Sequence, residues 1–448
     1  MSASTIIPTQ PSFDPSRPLE RSNEPSSDRV SPTQLWILAG QLALGFCMFM
    51  GFGAQRLTPK MLSAGAIVLT IGCYALAPHG RYRRLVLCLP VVGFVWWWLL
   101  SGFWTFNEFG FSIETQRNLA LVVCVVVLAS LLPTEHIVKG MLVQFYFTIA
   151  FQYFWTATHF GSSTANYDEI TGFPVPGWRG SFVHKNTMAP YLLFAIVTIL
   201  IFERRTWLRR GAVGAAMVFI VMSQSATTWS TLSVSLVFLW WFRRLTRQRG
   251  RMKPAFIALS ACAGVVLLAL GALVFPFLLG LYGKDLTFTG RTVIWRGCFR
   301  AIREQLWFGY GLGGVWSNPG AQPTKGILSQ LGFIVFHAHN GYIELMLHLG
   351  LVGLFIWMAI AVGNLVNGVR LLLVHPQIGQ WAMVFTIAVL MIAMSEVVVF
   401  GIWLATLAMM RVVTARELAQ PHIWHHDLPH DPPHQVAADA PATTEARS

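Results

Sequence analysis

Charge is scarce in this 448-residue chain: only 11% of its residues are Asp, Glu, Lys or Arg, against roughly a quarter in soluble domains. So few charges cannot clothe the surface of a soluble enzyme of this size, and the composition excludes fibrous and disordered chains too. Acid is scarcer than base, with 19 Asp and Glu against 32 Lys and Arg. The excess base sits in short clusters between apolar runs, such as Arg81 to Arg84, Arg204 to Arg210 and Arg243 to Lys253. No basic domain exists to carry nucleic acid. Of the 6 cysteines, none forms a CxxC pair, so a zinc site or a disulfide framework is not supported. Cys47, Cys73, Cys88, Cys124 and Cys262 fall inside apolar runs and read as buried thiols.

What the chain has is apolar length. Hydrophobic residues make up 54%, with 18 Trp and 32 Phe, and runs long enough to cross a bilayer recur from Gln34 to Met410. The pattern predicts an all-α integral membrane protein of about twelve transmembrane helices. The expected spans are 34–53, 61–77, 85–103, 118–132, 140–157, 186–202, 208–223, 226–242, 254–281, 341–366, 381–395 and 397–412. Spans seven and eight meet at the polar stretch Ser223 to Thr228, where one long helix is the alternative. Charge decides between them: two short spans keep Arg204–Arg210 and Arg243–Lys253 on the same side. Flanking the membrane domain (34–412), residues 1–33 read as a disordered cytoplasmic N-terminus rather than a cleaved leader. Residues 413–448, with His422, His425, His426, His430 and His434, read as a disordered, solvated cytoplasmic tail. With both termini cytoplasmic, roughly two thirds of the 32 Lys and Arg lie inside.

Two periplasmic loops then stand out for length, 158–185 and 282–340, and long loops in compact domains carry function. The first ends Gly177-Trp178-Arg179-Gly180-Ser181-Phe182-Val183-His184-Lys185-Asn186. Arg179 lies among glycines that let backbone approach a ligand closely, and its planar fork of donors suits a phosphate. A lipid-headgroup contact is the plainer reading. Lys185 and His184 are placed to anchor the following span. The second loop opens Thr289-Gly290-Arg291-Thr292 and carries a short amphipathic helix over about 291–305, with Thr289 as its cap. Arg291 in the first turn opposes the helix dipole, a placement that an anion bound at the helix N-terminus would explain. Arg296, Arg300 and Arg303 share one face and read as headgroup contacts, while Ile294, Cys298, Ile302 and Leu306 repeat on another. Gly309 to Gly314 resembles a nucleotide loop only superficially, since it follows no strand; a flexible hinge is the simpler account.

At the mouth of the tenth span comes His337-Ala338-His339-Asn340-Gly341. Asn340 is a natural N-cap, and the positive end of the helix dipole favours a neutral His339 imidazole, the form that accepts a proton from a hydroxyl. A capped or interfacial histidine is the bland alternative. Glu344 and His348 are four apart and look like a local pair, about 140° around the helix from His339. One absence also matters. The outer loops before residue 158 hold no paired acids, only Glu108 and Glu114, so no hard-cation site is expected and two arginines would have to neutralise any diphosphate.

These residues resemble the O-antigen ligase and exopolysaccharide polymerase family of bacterial inner membranes. The resemblance rests on Trp178-Arg179-Gly180 with His184-Lys185-Asn186, on Gly290-Arg291-Thr292 with Trp295 and Gly309-Tyr310-Gly311, and on His339-Asn340 followed by Gly350-Leu351-Val352-Gly353. It implies a metal-independent, inverting glycosyltransferase with no cofactor, working at the periplasmic face. The donor would be a glycan on undecaprenyl diphosphate, and the acceptor a sugar hydroxyl. By that resemblance Arg179 and Arg291 hold the diphosphate and His339 activates the acceptor, with His337 the alternative base. Lys185, Asn340 and Glu344 support them. The Trp-Arg-Gly and His-Lys-Asn forms resemble the repeat-unit polymerase branch; a ligase using lipid A–core is the alternative. Other polysaccharide-assembly proteins are expected partners. A lipid-linked sugar transporter is the rival of another class, but no inverted repeat is visible and the spans before residue 340 are almost free of ionisable residues.

Overall fold

A computed structural model of the chain describes residues 32–52, 59–77, 89–105, 113–167, 174–248, 291–329, 331 and 334–419. Residues 1–31 and 420–448, the expected span 254–281 and Thr289 lie outside the described residues, whereas 413–419, expected in a disordered tail, are helical and mostly buried. Within them the chain is helical throughout: α1 (Pro32–Phe52), α2 (Pro59–Ala75), α3 (Leu89–Leu100), α4 (Ile113–Leu131), α5 (Thr134–Thr158), the short α6 (Phe160–Thr164), α7 (Lys185–Phe202), α8 (Thr206–Ser223), α9 (Ala226–Arg247), α10 (Arg291–Glu304), the short α11 (Thr324–Leu328), α12 (Gly341–Val374), α13 (Pro376–Ile392) and α14 (Gly401–Ala419). A two-stranded antiparallel ladder, β1 (Asn166–Tyr167) with β2 (Pro174–Val175), lies between α6 and α7.

Every expected span among the described residues overlaps a helix. Among the described residues two helices, Lys185–Phe202 and Gly341–Val374, have the length and apolarity to cross a bilayer, and shorter apolar helices occupy Thr33–Met48, Ala64–Ala75, Leu89–Phe103, Gln116–Leu131 and Pro376–Ile392. α14 packs against α4, α12 against α13, α7 against α8, and α1 against α5 and α2. α7 and α14 are apolar on nearly every face and run through the core. There Phe194 meets Phe385 and Trp403 at ring-centroid distances of 4.2 and 5.1 Å.

The chain breaks between α8 and α9 at Gln224, whose φ of 53° is left-handed. The break brings Arg204–Arg210 and Arg243–Arg247 to one end of the bundle, where Arg243 donates to the Leu200 carbonyl at 2.7 Å and lies within electrostatic reach of Arg209. Charge patterning alone gave the same split. Gln377 bonds Ile201 at this end. Arg416 bonds the carbonyls of Ala129 and Leu132 and the Thr134 hydroxyl.

The opposite end is sewn together by a break in α12. Gly350 has φ 66° and ψ −169°, so the helical ladder opens there. The freed amides of Leu351 and Val352 bond the carbonyls of Leu306 and Trp307 at 2.9 and 3.3 Å, and the Tyr310 amide bonds Leu347 at 2.9 Å. The Trp97 indole takes the Leu349 carbonyl at 3.0 Å. The glycine-rich stretch 309–314 is therefore not the flexible hinge the sequence suggests. Gly309, Gly311 and Gly313 adopt positive φ, and a Cβ on Gly309 would stand 2.7 Å from the Gly350 nitrogen. These glycines let two backbones touch.

Gly350→Ala should lower the thermal midpoint of the purified protein by several degrees, corresponding to about 2–4 kcal/mol, because a Cβ there is strained and strikes the Trp307 carbonyl. Gly72→Ala, whose added methyl meets nothing within 4 Å, should leave the midpoint unchanged or slightly raised. Equal effects in a thermal melt would refute this account of the break.

Candidate functional site

Three sequence motifs meet at the end opposite the basic clusters, and a turn absent from all three gathers them. The turn, residues 393–400, joins α13 to α14. Its Glu396 carboxylate accepts from the Asn186 side chain at 2.9 Å and faces the Arg291 guanidinium at 3.7 Å. Arg291 also donates to the Ser395 carbonyl at 3.0 Å. The Asn340 side chain donates to the Met394 carbonyl at 3.1 Å, and the Gly341 amide to Ala393 at 2.7 Å. The Ser395 hydroxyl is 3.0 Å from that of Thr227, near the start of α9. One tight turn thus holds the first turn of α7, the first residue of α10 and the cap of α12.

α10 forms where amphipathic spacing predicts it, with Ile294, Cys298 and Ile302 buried and Arg296, Arg300 and Arg303 exposed. Leu306 lies past the helix end and is 39% exposed, outside the expected apolar face. Where the sequence reading expects a bound anion at Arg291, the negative group beside it in this structure is the Glu396 carboxylate, at 3.7 Å. One turn further on, Trp295 shares the Arg291 face and donates its indole N–H to the Ala338 carbonyl at 2.8 Å. That contact carries α10 directly to the histidine loop.

The histidine loop is held on both sides of Ala338. Its amide donates to Glu344 Oε2 at 2.8 Å, while Glu344 Oε1 accepts from the Trp316 indole at 2.9 Å and lies 3.1 Å from His348. Glu344 is 4% exposed. It is paired locally with His348 as the spacing suggests, and it also fixes the loop that presents His339. Asn340 caps α12 as expected, its Oδ1 accepting from Tyr342 and Ile343 at 3.0 and 3.1 Å. Between these fixed points His339 adopts a φ of 50°, a strained region for a residue with a Cβ. The residue is 7% exposed, and its ring lies 4.0 Å from that of His337, tilted by 59°.

Arg179 belongs to the same end by another route. Its Nε donates to Ser162 and its Nη1 to Val183, both at 2.9 Å, and its amide to Ser163 at 2.8 Å. Val183 immediately precedes His184, whose ring caps α7 by accepting the Asn186 amide at 3.1 Å. Lys185 donates to the Pro176 carbonyl at 2.7 Å and so anchors the loop on itself. Both arginines are thereby tied to segment 183–186, Arg179 through Val183 and Arg291 through Glu396 and Asn186. The neighbouring glycines serve packing rather than a ligand: side chains at Gly177 and Gly180 would collide with the Ser223 carbonyl and with Gln152. Gln152 clamps Ser181 in return, with bonds of 2.8 and 2.9 Å.

Glu396, Ser395, Trp316 and Gln152 are the members of this site that motif reading missed. Glu396 carried a usable signal, being the one acid in the long apolar stretch 378–415, where ionisable groups are expensive and mark sites. Among the described residues, no three His, Cys, Asp or Glu side chains are grouped to hold a metal ion.

Removing Glu344 with Ala should free the Ala338 amide and strand Trp316 and His348, lowering stability by about 3 kcal/mol or more. Hydrogen exchange of a peptide spanning 337–340 should accelerate more than that of peptides in α7. Unchanged exchange at 337–340 would show that Glu344 does not hold the loop.

The O-antigen ligase family model matches residues 211–358, a range that includes Arg291, His337, His339, Asn340 and Glu344 but not Arg179, Lys185 or Glu396. The chain is also 26% identical over 253 residues to the exopolysaccharide production protein ExoQ of Rhizobium meliloti (strain 1021), covering 54% of this chain and 56% of that protein. It thus spans about half the length of the curated relative it matches. Both findings bear out the family resemblance that the motifs carry.

Proposed function

We propose that this chain, similar to O-antigen ligases and to an exopolysaccharide production protein, is a membrane enzyme of polysaccharide assembly, and specifically a metal-independent inverting glycosyltransferase. Its donor is a glycan on undecaprenyl diphosphate and its acceptor a sugar hydroxyl. The carrying observation is the turn at Ser395 and Glu396, which ties Arg291, Asn186 and Asn340 to one place. The opposite end holds the basic clusters, which supports a cytoplasmic location there and a periplasmic site, in the inner membrane.

In this reading Arg179 and Arg291 grip the diphosphate and offset the negative charge that grows on it as the bond to the anomeric carbon breaks. The acceptor oxygen attacks from the opposite face, so the configuration inverts, and its proton passes to the His339 imidazole. His337 packs against His339 and orients it, or takes the proton in its place. Lys185, Asn340 and Glu344 hold the loops that present these groups. Two guanidiniums fixed in advance do the electrostatic work a divalent cation does elsewhere. Similarity to an exopolysaccharide production protein favours a repeat-unit polymerase. The family model's description favours the alternative, a ligase with lipid A–core as acceptor.

Arg179→Ala, Arg291→Ala and His339→Ala should each reduce product formation by about a hundredfold or more while the protein remains in the membrane. Normal product from both arginine variants would end the clamp reading. Purified protein given lipid-linked repeat unit alone should build longer lipid-linked chains. Product that forms only after lipid A–core is added would select the ligase.

A further inference from the structure

We infer that Glu396 is a resident counter-anion for Arg291, which the donor diphosphate displaces on binding and which recaptures the arginine when the diphosphate product leaves. The inference rests on the donor-site reading above. A guanidinium at a helix N-terminus is opposed by the dipole, and a negative partner offsets that opposition. Here the partner is a carboxylate 3.7 Å away, with the two side chains 20% and 12% exposed. That contact is longer than a charge-assisted hydrogen bond of about 2.8 Å, whereas the same guanidinium's bond to the Ser395 carbonyl is short, at 3.0 Å. The carbonyl therefore fixes where the guanidinium stands, and the carboxylate supplies charge without a tight, directional bond. Glu396 is kept in position independently of Arg291 by the Asn186 side chain, at 2.9 Å. Because Asn186 holds it, the carboxylate stays beside the site when a diphosphate takes the guanidinium, and it competes with the diphosphate for that guanidinium.

Such a positioning residue trades donor affinity for product release. Glu396→Gln keeps an oxygen to accept from Asn186 and removes only the charge, so the turn should survive. Farnesyl diphosphate binding to the purified full chain in nanodiscs should tighten about three- to tenfold in Glu396→Gln. With lipid-linked repeat unit as substrate, kcat and KM should fall together, as they do when release becomes slower. Arg291→Ala should weaken binding strongly, and adding Glu396→Gln to it should change nothing further.

Unchanged or weaker binding in Glu396→Gln, or an effect of the same size in the Arg291→Ala background, would overturn the inference. A fall in kcat with KM unchanged would mean that the residue is merely structural and would overturn it as well. Wild-type binding by Arg291→Ala would instead sink the donor-site reading itself, so the two failures are distinguishable.

Discussion

A chain that turns between two helices leaves carbonyls without intrahelical partners, and they need donors from elsewhere. Between α13 and α14 this requirement falls on Ala393, Met394 and Ser395, which are followed by the carboxylate of Glu396. The donors that answer are a backbone amide, a cap asparagine and an arginine, drawn from segments far apart in the chain. Satisfying the turn and assembling the site are therefore one event. Any change that shifts the turn moves Asn186, Arg291 and Asn340 with it.

A second set of constraints holds the histidine loop against this frame. Trp295 takes the carbonyl of Ala338 and Glu344 takes its amide, so the peptide before His339 is pinned from two helices. The break at Gly350 fastens the loop after α10 to the middle of α12 through main-chain bonds. α10 is thereby clamped at both ends, near Ser395 and near Gly350, and Arg291 has little freedom to wander. Preorganisation of this kind suits catalysis by charge stabilisation, where fixed donors act without reorganising as charge develops.

The helices were legible because their apolar runs are long and their boundaries chemical: polar Ser223 to Thr228, a capping asparagine at 340, arginines spaced along one face of 291–304. The break at Gly350 was not legible. Apolar residues continue unbroken through it, and only the loop docked against it makes a left-handed glycine necessary. The expectation that glycines near Arg179 admit a ligand misjudged their neighbours, since Ser223 and Gln152 fill that space. The need of Arg291 for an anion followed from the helix dipole, but the identity of its partner did not. Asn186, Arg291 and Glu396 are separated by about a hundred residues or more along the chain, and no local pattern encodes such a meeting.

The account stands on the convergence of Arg179, Arg291 and His339 around a phosphorylated lipid head. An experimental structure of the full chain in a lipid nanodisc with undecaprenyl diphosphate tests this most directly. The account predicts both phosphates bonded by Arg179 and Arg291, with the His339 ring facing the same space. Phosphates lodged instead beside Arg209 and Arg243, or contacting neither motif arginine, would contradict it.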